Sequence, residues 1–193
     1  MVVMLFLHIS LTVHPTRAAS HGLIEAAVAE AAGIWAPYGI DVEAAGTEDC
    51  GRCHTCGRTD GDDRVLTVVP IETSRSTVAP GWHGALGAIA FAPDGDPAPV
   101  ITVFLSDIER LIAIAHVAGV PQERWPSTMR EQILGRVLGR VIAHEIGHYV
   151  LRSPRHAAGG LMRPLQLASD LVAESRRRFM LTAAEAARLE DRR

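Results

Sequence analysis

The stretch HEIGHYVLRSPRH, residues 144–156, concentrates side chains that bind metal ions and move protons. His144 and His148 stand four residues apart, one helical turn, so both can point a ring nitrogen at a single ion. Glu145 lies about 100° around the helix, close enough to hold a water at that ion without being a ligand. Val137, Val141, His144, His148 and Leu151 follow one another at steps of three or four, an apolar stripe that must be buried. Three polar side chains buried together must all find partners, which a metal site provides better than two ordinary core histidines do. Gly147 costs up to about 1 kcal/mol inside a helix relative to alanine, so its presence predicts a close neighbour.

Two histidines do not complete a zinc site. The run HEIGHYVLRSPRHAAGGLMRP resembles the metzincin-like zinc metallopeptidases, whose pattern is H-E-x-x-H-x-x-G-x-x-H followed by a turn with a methionine beneath the metal. It is similar in particular to a group of short bacterial metallopeptidases with H-E-I-G-H, a later His and G-[IL]-M-R. The chain departs from the metzincin pattern: Leu151 stands at the glycine position and Pro154 at the last-histidine position. The resemblance implies that His156 is the displaced third ligand and that Gly160-Leu161-Met162 is the methionine turn. A helix running to about Arg152 and turned back at Ser153-Pro154 leaves room for that longer return. Asp170 and Glu174, 22 and 26 residues beyond His148, compete for the same place as downstream acidic ligands.

The implied activity is hydrolysis of peptide bonds. Three neutral imidazoles leave zinc its double positive charge and an open position, where a water's pKa falls from about 15.7 to about 7. Glu145 is then the general base. An oxyanion stabiliser is less plain: where relatives place a tyrosine after the methionine, Arg163-Pro164 stands here, and Arg163 and Tyr149 are the candidates. The alternative is a zinc- and peptide-binding protein on the same scaffold without turnover, which has no need of Glu145.

The sequence CGRCHTC, residues 50–56, is a second constellation. Cys50, Cys53 and Cys56, with His54, are of the types that hold a structural zinc ion, and two of the thiols can instead form a disulfide. Cys50-x-x-Cys53-His54 also matches the c-type haem attachment pattern, which needs export and a distal ligand.

The elements that must position these residues follow from pattern. Residues 2–13 read as a buried strand and 18–36 as a helix ended by Pro37 and Gly39. Strands follow at 39–44, 65–71, 84–92 and 100–105; the glycines at 84 and 87 suit an edge strand that another backbone approaches. That edge is the expected seat for an extended peptide, with Trp82-His83 at its border. Ser106-Asp-Ile-Glu109 and Thr128-Met-Arg-Glu131 read as capping boxes, the first opening a helix that Gly119 closes and the second the metal helix to about Leu151. Thr182-Ala-Ala-Glu185 caps a last helix, 183–191. The expected fold is α+β, or mixed α/β: a small twisted, mostly parallel sheet with an antiparallel edge strand, packed on a long helix and the H-E-x-x-H helix. A strand-rich part, 1–127, and a part carrying the metal helix, methionine turn and C-terminal helix, 128–193, form one domain.

With 48% hydrophobic and 21% charged residues, the 193-residue chain reads as globular. A net charge of -3 carries no nucleic-acid footprint, and Arg176-Arg177-Arg178 reads as a solvated face. No apolar run is long enough to cross a membrane. The apolar start lacks the preceding positive charge of a signal peptide, so the expected location is cytoplasmic.

Overall fold

Residues 7–13 alternate buried Ile9 and Leu11 with partly exposed His8, Ser10 and Thr12, the period of a strand with one covered face. The same alternation builds the rest of the sheet. The computed structural model describes residues 7–14, 16, 19–45, 62–72, 85–164 and 167–192. Its five-stranded sheet comprises β1 (Leu7–Val13), β2 (Ile40–Ala44), β3 (Asp62–Ile71), β4 (Gly87–Phe91) and β5 (Pro97–Phe104), in the order β2-β1-β3-β5-β4. β2, β1, β3 and β5 run parallel, and β4 lies antiparallel to β5 at the edge. Mixed α+β content with an antiparallel edge strand is the expected architecture.

One face of the sheet supplies Ile9, Leu11, Ile40, Val42, Leu66, Val68, Ile101 and Val103 to the core. Two helices cover it, α1 (His21–Trp35) and the helix carrying the histidines, Ser127–Val150, which is α3. Between them in sequence comes α2 (Leu105–Ala113), and after them the short α4 (Ala168–Val172) and α5 (Ala183–Glu190). No described helix is long and apolar enough to cross a membrane.

The two long helices approach closely because α3 carries glycine at 135 and 139, one turn apart. A methyl at Gly139 would lie 2.4 Å from the Ala27 carbonyl oxygen and 2.7 Å from Glu30 Cβ, and one at Gly135 would lie 2.6 Å from Ala26 Cβ. The crossing places Arg140 in the interior, where Nε donates to Glu30 at 2.8 Å. Its terminal nitrogens donate to the carbonyls of Asp170, Leu171 and Ser175, and its plane lies 4.3 Å over the Phe179 ring. Arg176 closes on the other Glu30 oxygen. One buried guanidinium with its donors occupied thus ties the segment 170–179 to both long helices.

Two expected capping boxes are absent, and the third is present. α2 begins at Leu105 with no side-chain cap, and the Ser106 hydroxyl donates to the Glu72 carbonyl instead. Nor does α2 reach Gly119: it stops at Ala113, and Ala118-Gly119, both with positive φ, turn a small hairpin of β6 (His116–Val117) and β7 (Val120–Pro121). α3 begins at Ser127 after Pro126, and Glu131 accepts from Ser20, the residue that caps α1. Tertiary partners outcompeted the local caps at both sites. Thr182 and Glu185 do form the box that opens α5.

Candidate metal centre

His144 and His148 lie on the buried stripe of α3, with Val137, Val141 and Leu151 in the core. Each imidazole has its Nδ1 2.7 Å from a backbone carbonyl oxygen, of Leu161 for His144 and of Ser153 for His148. A carbonyl only accepts, so each Nδ1 carries the proton and each Nε2 is left as a bare lone pair. Those two lone pairs face one another at 3.2 Å. Two acceptors so placed repel unless a cation stands between them. A tetrahedral zinc ion with bonds of about 2.0–2.1 Å sets its ligand nitrogens about 3.3 Å apart. The donor set fits a metal ion.

His156 completes the group: its ring stacks against His144 with centroids 5.3 Å apart and stands edge-on to His148 at 4.8 Å. One donor atom from each of the three lies within 4.8 Å of the others. Burial holds the three imidazoles below the usual histidine range. His144 is lowered to about 4, chiefly by loss of solvent and then by His148, with its carbonyl bond opposing. His148 is lowered by burial against the Ser153 carbonyl, and His156 by burial. Neutral imidazoles are the form that ligates metal.

The turn after α3 determines how His148 and His156 meet. Leu151 ends the helix, Arg152 takes a left-handed φ of 46°, and the amides of Arg152 and Ser153 donate to the carbonyls of Tyr149 and His148. This is a Schellman ending with arginine where glycine is usual. It points the Ser153 carbonyl back at His148 and sends the chain toward His156.

The turn Gly160-Leu161-Met162 lies beneath the helix. Gly160 has φ 71°, and a methyl there would stand 2.5 Å from the Met180 carbonyl oxygen. The Leu161 amide donates to that same carbonyl while its own carbonyl holds His144. Met162 is buried, with its sulfur 2.3 Å from where a methyl on Gly147 would lie. Met162 is thus the neighbour that Gly147 predicted. Trp35 packs on the same spot and donates to the Ala143 carbonyl at 3.1 Å. Tyr38 stands edge-on to Trp35 and accepts from the Leu181 amide at 2.7 Å, which braces the strand-like segment that holds Leu161.

Comparison of the chain with protein-family models, with curated proteins and with solved structures finds no match in any of the three. The functional reading therefore rests on the residues themselves. Glu145 is buried on α3 between the two histidines, and the Phe91 ring of β4 stands edge-on to His148 at 6.4 Å. Asp170 is engaged elsewhere: its carboxylate pairs with Arg163 at 3.1 Å and Arg178 at 3.4 Å. Glu174 is exposed, outside α4. Neither joins the histidine group. Arg163, a candidate for the oxyanion, is the partner of Asp170, and Tyr149 is half-buried on α3. The arginine run is exposed, as expected, and two of its members also pair, Arg176 with Glu30 and Arg178 with Asp170. Cys50, Cys53, His54, Cys56, Trp82 and His83 lie outside the described residues.

Sequence reasoning missed Trp35, Tyr38 and Arg152. Trp35 and Tyr38 lie more than a hundred residues from the positions they brace, and no local spacing links them. The signal for Arg152 was Leu151 itself: an apolar residue on the buried stripe stays in the helix, so the left-handed turn falls on the next residue.

Proposed function

We propose that this chain is a zinc-dependent peptidase. The observation that carries the reading is the pair of bare Nε2 lone pairs at 3.2 Å, joined by His156, with the buried carboxylate of Glu145 on the same helix. His144, His148 and His156 hold the ion in this reading. When bound, zinc supplies a Lewis acid that polarises a carbonyl and brings a water's pKa to about 7. Glu145 would accept a proton from the attacking water and return it to the leaving amine, one carboxylate serving as base and then acid. The Leu161 and Ser153 carbonyls keep both helix histidines in the tautomer that binds metal.

The substrate class follows from β4. Among the described residues it is the last strand of the sheet, with no strand partner on one side of its backbone, and it runs beside the helix of the histidines. An extended peptide can add to such an edge by main-chain hydrogen bonds, which read few side chains.

Zinc content and hydrolysis of a peptide library, measured on the wild type and Glu145→Gln, test the proposal. The expected result is about one zinc per chain in both proteins, with cleavage reduced about 100-fold or more in the variant. Cleavage indifferent to Glu145 belongs to a contaminant and removes the enzyme reading. Zinc without cleavage in the wild type leaves a zinc- and peptide-binding protein.

A further inference from the structure

β4 presents Gly87, Ile89 and Phe91 on its inner side, at alternate positions. Phe91 meets His148; Gly87 meets Glu145. A methyl built on Gly87 would stand 2.9 Å from Glu145 Oε1, 3.1 Å from its Cγ and 2.7 Å from Val141 Cγ1. The contacts with Val141 Cγ1 and Glu145 Oε1 are closer than non-bonded atoms tolerate, and the one with Glu145 Cγ is tight. Backbone conformation is not what requires glycine here. Gly87 pairs with Val103 in regular antiparallel register and has no positive φ. Gly87 opens β4, and its bare backbone lets two side chains of the facing helix come close, Val141 and, beside it, Glu145. Glu145 in turn has little freedom: it is buried, and its helix neighbours His144 and His148 are pinned through their Nδ1 atoms.

We infer that Gly87 is a positioning residue for Glu145, the bare backbone of the edge strand being the wall that sets where the carboxylate stands beside the three histidines. The consequence for turnover rests on the peptidase reading; the geometry does not. The strand offered to the substrate and the strand that seats the base are then the same, so the peptide's register and the base's position share one reference.

The test is Gly87→Ala, alone and combined with Glu145→Gln. The variant keeps all three histidines, so its zinc affinity is expected within about threefold of the wild type. Its kcat on a peptide substrate falls about 10- to 100-fold with little change in KM, the usual result of displacing a catalytic group by about 1 Å. In the Glu145→Gln background, adding Gly87→Ala lowers kcat no further, because the effect passes through Glu145. A second readout needs no turnover: the Glu145 carboxyl 13C resonance of the metal-free protein, assigned by its loss in Glu145→Gln, shifts in Gly87→Ala. An unchanged kcat with an unchanged resonance overturns the inference. So do additive losses in the double variant, which would mark general damage. Should the wild type cleave no peptide, the peptidase reading falls alone, and the resonance still decides the role of Gly87. Should Gly87→Ala not fold, Gly87→Ala with Val141→Ala removes the closest overlap, keeps both approaches to Glu145, and is read in the same way.

Discussion

Lowering the pH of the metal-free protein should destabilise it well before its carboxylates titrate, and His144 sets the size of the effect. Its pKa is about 4 in the fold, against 6.5 for an ordinary histidine. The unfolded chain therefore binds a proton at this residue across a window in which the folded chain does not. The group favours the fold above pH 6.5, and that contribution is lost as pH falls toward 4. At about 1.4 kcal/mol per pH unit of displacement, the full loss is about 3 kcal/mol, of which about 2 kcal/mol falls between pH 7 and pH 5. For a domain of this size, that is about 4–8 °C in Tm. Thermal melts of chelator-treated protein from pH 7 to pH 5 measure it, with His144→Leu as the control that cannot titrate. Saturating zinc should oppose the fall, since an occupied lone pair takes no proton. A Tm that is flat from pH 7 to 5, or a slope that His144→Leu leaves unchanged, refutes the argument that burial holds this imidazole neutral and ready for metal.

Four other substitutions probe the frame around the site. His156→Ala should weaken zinc binding at least 10-fold in a chelator competition, whereas Asp170→Asn, whose carboxylate serves Arg163 and Arg178, should leave it unchanged; the reverse result would move the third ligand to Asp170. Gly139→Ala puts a methyl against the Ala27 carbonyl, and overpacking of about 1–3 kcal/mol should outweigh the gain of up to about 1 kcal/mol in helix propensity. Urea denaturation reads the difference, and a stabilised variant would contradict the close crossing of α1 and α3. Arg140→Ala leaves Glu30 with Arg176 alone and strips three carbonyls of their donor, a loss of about 1–3 kcal/mol or more by the same assay; a loss under about 1 kcal/mol would show that the buried guanidinium ties little together.

The parts of the fold legible in the sequence are those governed by local period. Apolar runs rich in Val, Leu, Ile and Phe marked the strands, and the three-and-four spacing of Val137, Val141, His144, His148 and Leu151 marked the buried stripe of α3. Gly147 signalled Met162 because the lack of a side chain in a helix interior needs a local cause. Caps were read less well for a physical reason. Glu131 and Ser106 each had a local bond available and took a tertiary one, with Ser20 and the Glu72 carbonyl. The roles of Arg140, Trp35 and Tyr38 were not legible, because each depends on groups brought near only when α1, α3 and the C-terminal segment pack together.

The place of His156 beside His144 and His148 is a consequence of how α3 ends. Leu151 belongs to the buried stripe, so the helix keeps it and cannot turn left-handed there. Arg152 makes the turn instead, with its side chain outside, paired with Asp96 in the turn between β4 and β5. Turning one residue later, the chain needs a longer return, and Pro154 and Arg155 occupy it before His156 arrives. The same turn presents the Ser153 carbonyl to His148 Nδ1. One piece of backbone thus orients the second histidine of the group and delivers the third. Shortening the loop between Ser153 and His156 would disturb both histidines together, so the position of His156 and the carbonyl of Ser153 must be read as a unit.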